Sequence, residues 1–390
     1  MGAAEFVAFV AIGLVVGATS IDLMLPALRA IGDDFALETA NRSQAVIAVF
    51  LLGVGPAQLL FGPLSDRYGR RRLFLAGVLI FLLGATLSAL APAFHPLLFG
   101  RLLQGFGAGA VRVVTFSIVR DRHSGPQLAH VMSLAMTVVL LEPIVAPLFG
   151  QVILLFASWR WIVAAMAGVG AATLAWAWWR LDESLPARQR RSMSPTSLAA
   201  AYRMFVTTPP SVAGTLVCGL VMGAHLGFLS SAQGIFEVVF DEAGRFTLWL
   251  ALVSLAMSAA AFANARLVRR YGTSRLIRSA LYALAAVNSV ALAIAVAAGM
   301  SLPVFLAIQA CNMFAFGLLL PNLTTMAMNP LGSIAGTASS IFGFVSTTIA
   351  AGAAFVVGQC FDGTVRPVAG AYVLISAAAL LILSHYGKER

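Results

Sequence analysis

Gly62-Pro63-Leu64-Ser65-Asp66-Arg67-Tyr68-Gly69-Arg70-Arg71-Arg72 places one acid and four arginines within eleven residues. On either side the chain turns apolar, over 42–63 before the stretch and 73–92 after it. About 20 apolar residues at 1.5 Å rise cross a ~30 Å hydrocarbon core, so each flank has spanning length and the charged stretch reads as a turn between two membrane spans. Outward from there the same pattern recurs. Apolar runs lie at 6–31, 96–119, 127–155 and 159–180, and again at 211–236, 244–268, 275–299, 301–326, 334–359 and 367–386. With the two flanks they make twelve spans, joined mostly by short connections. The first run is too long for a signal-peptide core and lacks a basic leader, so it is read as span 1.

Composition agrees. Hydrophobic residues are 60% of the 390 and charged residues only 10%, against roughly 45–50% apolar in soluble domains. Mean hydropathy is +0.92. A soluble fold with so little charge would have no surface to present to water. The ~10-residue alternating segments of a transmembrane β-barrel are not visible. The expected fold is an all-α polytopic membrane protein in the cell inner (plasma) membrane.

The basic residues set the orientation. With both termini cytoplasmic, the inner side holds Arg67, Arg70, Arg71, Arg72, Arg120, Arg122, Arg180, Arg188, Arg190, Arg191, Arg203, Arg266, Arg269, Arg270, Arg275, Arg278, Lys388 and Arg390, which is 18 of the 25 Lys and Arg. Arg29, Arg42, Arg160, Arg245 and Arg366 fall outside, and Arg101 and Arg112 lie within spans. This is the positive-inside pattern. It accounts for the net charge of +10 without a nucleic-acid partner. Cys218, Cys311 and Cys360 show no pairing pattern and read as plain helix residues.

The most polar internal stretch is 181–209. It divides the chain into a six-span bundle over 1–180, a cytoplasmic linker and a second six-span bundle over 210–390. The two halves carry an internal echo. Ala265-Arg266-Leu267-Val268-Arg269-Arg270-Tyr271-Gly272-Thr273-Ser274-Arg275 lies between spans 8 and 9 as Gly62–Arg72 lies between spans 2 and 3. Both have basic residues around a Tyr-Gly pair, and the second copy has lost the acid. Two pseudo-symmetric six-helix bundles around a central cavity are a transporter plan, with the site near the midplane.

At these residues the chain resembles the major facilitator superfamily. Gly62–Arg72 is similar to its G-x-L-x-D-R-x-G-R-R signature, which implies that Gly62, Asp66, Arg67, Gly69 and Arg70 form a cytoplasmic latch with span 11. Arg101-Leu102-Leu103-Gln104-Gly105-Phe106-Gly107-Ala108 resembles the span 4 motif R-x-x-Q-G-x-G-A. Pro143-Ile144-Val145-Ala146-Pro147-Leu148-Phe149-Gly150 resembles the span 5 motif P-x-x-A-P-x-x-G of drug:proton antiporters, in Pro143, Pro147 and Gly150. With Asp22–Leu28 in span 1 and Ala335–Ser340 in span 11, the resemblance points to the Bcr/CflA branch, whose members export drugs. It implies proton roles for Asp22 and Arg101, and a monomer.

An ionisable side chain at bilayer depth costs several kcal/mol unless paired or hydrated. Five sit inside the spans: Asp22, Arg101, Arg112, Glu142 and His225. Asp22 lies toward the outer end of span 1, where a carboxyl could load and release a proton, or cap and salt-bridge. Arg101 lies at the same level, able to pair with Asp22 or simply to bond exposed carbonyls. Arg112 is 11 residues on, about 1100° around the helix, hence within about 20° of the same face and ~16 Å away. Both arginines are expected to face the cavity. Glu142 is expected either to neutralise Arg112 or to titrate as a second acid, leaving Arg112 for an anionic group on the substrate. His225 titrates near neutral pH in the ordinary case, or serves as a neutral hydrogen-bonding residue. Gln104, Gln309, Asn312 and Asn322 are candidates to orient a substrate or to bond neighbouring helices. Gly105, Gly107 and Gly109 allow close helix approach, and Pro143 and Pro147 should bend span 5.

The expected function is proton-coupled efflux of small amphipathic compounds by alternating access. The alternative is a proton-coupled importer of a specific anionic solute, favoured by Arg101 and Arg112. There is no His/Asp/Glu cluster at ligand spacing, no phosphate loop and no nucleophile–base pair. No enzyme, metal, cofactor or ATP-driven activity is therefore expected, and the partners are a small-molecule substrate, protons and the bilayer.

Overall fold

The computed structural model describes residues 1–123, 125–186, 188 and 195–386. Arg190, Arg191, Lys388 and Arg390, read above as inner-side charges, and part of the 181–209 linker lie outside the described residues.

Fourteen α-helices carry the described chain: α1 (Ala3–Asp22), α2 (Leu28–Asp34), α3 (Ala45–Tyr68), α4 (Arg70–Ala89), α5 (Phe94–Arg122), α6 (Gly125–Phe156), α7 (Trp159–Arg180), α8 (Pro195–Val206), α9 (Pro209–Gly234), α10 (Phe246–Tyr271), α11 (Thr273–Ala297), α12 (Leu302–Met328), α13 (Ala335–Gln359) and α14 (Arg366–Tyr386). Among the described residues, twelve helical segments are long and apolar enough to cross a membrane, and they coincide with the twelve spans to within a few residues. The polar 181–209 stretch holds a helix of its own, α8.

Span 1 is interrupted. Helix α1 ends at Asp22, a 3-10 turn follows over Leu25–Ala27, and α2 resumes at Leu28. Pro26 has no N–H to donate and its ring opposes a continuous ladder, so the chain tightens there.

The chain divides into two compact units. The first comprises Met1–Ala36, Val49–Ala201 and Ser339–Phe344, and the second Leu37–Ala48, Tyr202–Ala338 and Val345–Arg390. Within the first, α4 packs along α5 and α7, and α1 along α5 and α6. Within the second, α11 packs along α12 and α14, and α9 along α12 and α14. The α4 pairings correspond to those of α11, and α9 lies along α14, whereas its counterpart α1 barely meets α7.

The sequence echo is also an echo of backbone. Gly69 (φ 99°) and Gly272 (φ 77°) both sit at the helix-to-helix turn in a conformation that a side chain would strain. Elsewhere in the first unit backbones approach closely. A Cβ on Gly105 would overlap the Phe50 carbonyl, and one on Gly107 would meet the backbone of Phe81. Small residues at such crossings provide the close packing that membrane helices rely on.

Candidate functional site

The end of α1 creates the centre of the site. In a regular helix the Met24 N–H would serve the Ser20 carbonyl. Here it donates to the Ile21 carbonyl at 3.0 Å, which leaves Ser20 an open acceptor at the negative end of the helix. Arg101 takes it. Its Nη2 donates to the Ser20 carbonyl at 2.8 Å and its Nη1 to Gln104 Oε1 at 2.6 Å. The guanidinium also lies over the Phe50 ring, 4.5 Å from its centroid. Arg101 is 0% exposed. Taking a charge so far from water costs several kcal/mol, and these charge-assisted bonds and the ring face are what offset it. Gln104, expected to orient a substrate or to bond a neighbouring helix, accepts from Arg101.

Asp22 and Glu142 come together. Their carboxyl groups lie within reach of each other, and the Thr19 side chain also reaches Glu142. Both acids are 7% exposed. A carboxylate is an acceptor only, so two such groups can bond to each other only through a proton held between them. Glu142 Oε1 has no hydrogen-bond partner. Of the two expectations for Glu142, pairing with Arg112 or standing as a second acid, the structure gives it Asp22 as its ionisable neighbour. Arg112 is exposed on α5, so a shared helix face does not give Arg101 and Arg112 a shared environment.

Helix α6 is held at this point by the span 5 motif. A Cβ on Gly150 would overlap the Leu23 carbonyl oxygen and stand 3.0 Å from Pro26 Cγ, so only glycine lets α6 lie against the break in span 1. Pro143 and Pro147 lie inside α6 and withhold the two N–H groups that would serve the carbonyls four residues earlier.

At the charged turn, Arg70 is 4% exposed. Its Nη2 meets Asp66 at 2.6 Å, its Nε meets Asp121 at 2.9 Å, and its Nη1 donates to Ser65 Oγ at 2.5 Å. Its backbone N–H donates to Glu183 Oε1 at 2.8 Å. The latch expected with span 11 thus has its described charge pairs among α3, α4 and α5, and Arg67 lies over the neighbouring Tyr68 ring. Gly62 faces the Ser340 side chain within the same unit.

In the second unit, Gln309 and Asn312, expected to orient a substrate or to bond neighbouring helices, are hydrogen-bonded to helix neighbours. Asn312 Nδ2 donates to Gln309 Oε1 at 2.9 Å and to Asn288 Oδ1 at 3.2 Å, and Asn288 Nδ2 donates back to Asn312 Oδ1 at 2.7 Å. These buried amides tie α11 to α12, as Asn322 and Asn264 tie α12 to α10 at 2.6 Å. His225 stacks on Phe316 with ring centroids 4.1 Å apart, and its Nδ1 has no hydrogen-bond partner. Sequence reading missed Ser20, Thr19 and Asn288. A polar residue within an apolar run was the available signal for Asn288; nothing marked the Ser20 carbonyl.

Twelve apolar helices in two corresponding halves, with buried charge confined to a few positions, define a secondary transporter rather than an enzyme. Residues 9–356 match the Major Facilitator Superfamily, and the chain belongs to that superfamily. The uncharacterized MFS-type transporter YdgK of Bacillus subtilis is 28% identical over 334 residues, covering 85% of this chain and 83% of that one. Multidrug resistance protein MdtL of Vibrio parahaemolyticus is 35% identical over 173 residues, 44% of this chain and 43% of its own length. Among solved structures, the partially occluded inward-open xylose transporter XylE of E. coli superposes with a TM-score of 0.74 at 14% identity, covering 99% of this chain and 98% of XylE. The human organic anion transporter MFSD10 (TETRAN) gives 0.71 at 18% identity, covering 98% and 99%.

Proposed function

We propose that the chain is a proton-coupled exporter of small amphipathic compounds, placed in the plasma membrane with both termini cytoplasmic and acting as a monomer. The observation that carries this is the Asp22–Glu142 carboxyl pair beside the buried Arg101. The pair binds one proton between its members and has capacity for a second or for none. Arg101, tied to the same end of α1 through the Ser20 carbonyl, senses any change at Asp22 two residues away. A proton entering from the outer side as substrate leaves, and departing inward as the next substrate binds, gives antiport. The span 5 motif and the partial likeness to multidrug resistance proteins support the outward direction.

The test uses everted membrane vesicles with an acidified lumen. Candidate drugs are added outside, and wild type is compared with Asp22→Asn. The amide keeps the shape of Asp22 and can donate to Glu142 but has no exchangeable acid proton. Drug-induced loss of the pH gradient in wild type and not in the variant is the expected result. No response to any compound, together with uptake of an organic anion by whole cells, would overturn export in favour of import.

A further inference from the structure

Helix α1 barely meets α7, whereas α9 lies along α14 in the second unit, and the gap between α1 and α7 is a cavity. Its volume is about 480 Å³, and its walls include Val15 and Val16 of α1, Phe81 of α4, Val145 of α6, and Ala165 and Met166 of α7. That is the size range of small-molecule sites. It forms because α6 packs on α1 and α7 packs on α4, so that α6 and α7, although consecutive, splay apart. The rim carries Leu141, Phe149 and Val169, which are 52%, 61% and 51% exposed. A rim of exposed apolar side chains on spanning helices faces acyl chains, so the cavity opens sideways into the bilayer.

One lining residue is ionisable, and it is Glu142. The residue is 93% buried by its 7% exposure, and its Oε1 has no partner. A lipid chain would satisfy the walls and leave that buried oxygen without a donor, which is costly for an acceptor away from water. A ligand carrying an N–H satisfies both. Arg101 does not oppose a cation here, because its guanidinium is turned onto Ser20, Gln104 and Phe50 and it is not among the lining residues.

We infer that this cavity is a membrane-side binding site for lipophilic amines, which enter between α6 and α7 and donate an N–H to Glu142 Oε1. The site deepens the export reading and rests on it for its purpose: the ligand is drawn from the bilayer and meets the proton-binding pair at the cavity wall. Occupancy itself needs no proton gradient, and can be tested without one.

The full-length protein in nanodiscs would be titrated with the fluorescent primary amine anthracenylmethylamine, with binding read as fluorescence anisotropy. The uncharged isostere anthracenylmethanol is titrated in parallel, and empty nanodiscs measure partition into lipid. Both can donate to Glu142, but only the ammonium carries charge, so saturable binding of the amine about tenfold tighter than of the alcohol is expected. A charge-assisted hydrogen bond predicts affinity about tenfold weaker in Glu142→Gln. Ala165→Trp, at an exposed mouth position outside the polar cluster, should abolish saturable binding while the protein remains monodisperse. Equal binding of amine and alcohol would show an apolar void that any lipid chain fills, and would overturn the inference. Unchanged amine affinity in Ala165→Trp would overturn it as well. Should Glu142→Gln fail to fold, the alcohol and Ala165→Trp still decide. The two readings fail separately. Amine binding with silent vesicles removes export and leaves the site, whereas responsive vesicles unaffected by Ala165→Trp remove the site and leave export.

Discussion

Adding one methyl group at Gly150 should destabilise the first unit, and adding one at Gly168 should not. At Gly150 the new Cβ overlaps the Leu23 carbonyl oxygen and lies 3.2 Å from its carbon and 3.0 Å from Pro26 Cγ. None of these is the end of a flexible side chain. A comfortable carbon–oxygen contact is about 3.3 Å or more, so α6 must withdraw from the break in span 1 by about 1 Å. Overpacking of this kind costs about 1–3 kcal/mol. Gly168, in the middle of α7, has nothing within 4 Å of its added Cβ. Alanine there gains helix propensity, worth up to about 1 kcal/mol. The assay is fluorescence-detected size-exclusion chromatography after heating in detergent, with both variants and wild type in parallel. Gly150→Ala should lose its monodisperse peak several degrees below wild type and Gly168→Ala at or above it. Identical curves for the two variants would refute the claim that α6 is seated backbone-to-backbone on Leu23 and Pro26. Because Asp22 adjoins Leu23, Gly150→Ala should also weaken the drug response in vesicles, while Gly168→Ala leaves it intact.

Arg70→Ala removes the buried partner of Asp66 and Asp121 and should destabilise by about 3–5 kcal/mol. Arg71→Ala, whose guanidinium donates to the Trp178 carbonyl from an exposed position, should cost under about 1 kcal/mol; the same heating assay separates them. Asn312→Leu leaves Asn288 and Gln309 without their mutual bonds and should lower stability by about 1–2 kcal/mol. The double variant Asn288→Leu/Asn312→Leu should recover part of that, and strict additivity in the cycle would contradict the described pairing.

The spans were legible because lipid imposes them: an uninterrupted apolar run of spanning length has one stable conformation in a bilayer. The turn glycines at 69 and 272 were legible as a repeat, since both follow tyrosine among arginines. The break at Pro26 was not read, although the proline was visible, because hydropathy continues across it to Ile31. From that omission follows the larger one. The Ser20 carbonyl becomes a ligand for Arg101 only once the helix stops at Asp22, and no side chain announces a freed backbone acceptor. Glu142 was legible as an acid within an apolar run, but its neighbour was not. Helical phase tells which way a residue points along its own helix. Whether α6 crosses α1 at the height of Asp22 depends on Gly150 and on the break it fits.

Among the described residues, the charged side chains counted as buried are Asp22, Arg70, Arg101 and Glu142, all in the first unit. The buried polar groups of the second, such as Asn288, Gln309 and Asn312, are neutral. With one proton shared by the acids, the three charged groups near the end of α1 sum to zero, and a second proton makes them +1. A unit charge carried through 100 mV is worth about 2.3 kcal/mol. On the proton-coupled reading proposed above, membrane voltage would act on these buried groups of the first unit when their proton occupancy changes. Among the described residues, the second unit offers that voltage no buried charged side chain to act on.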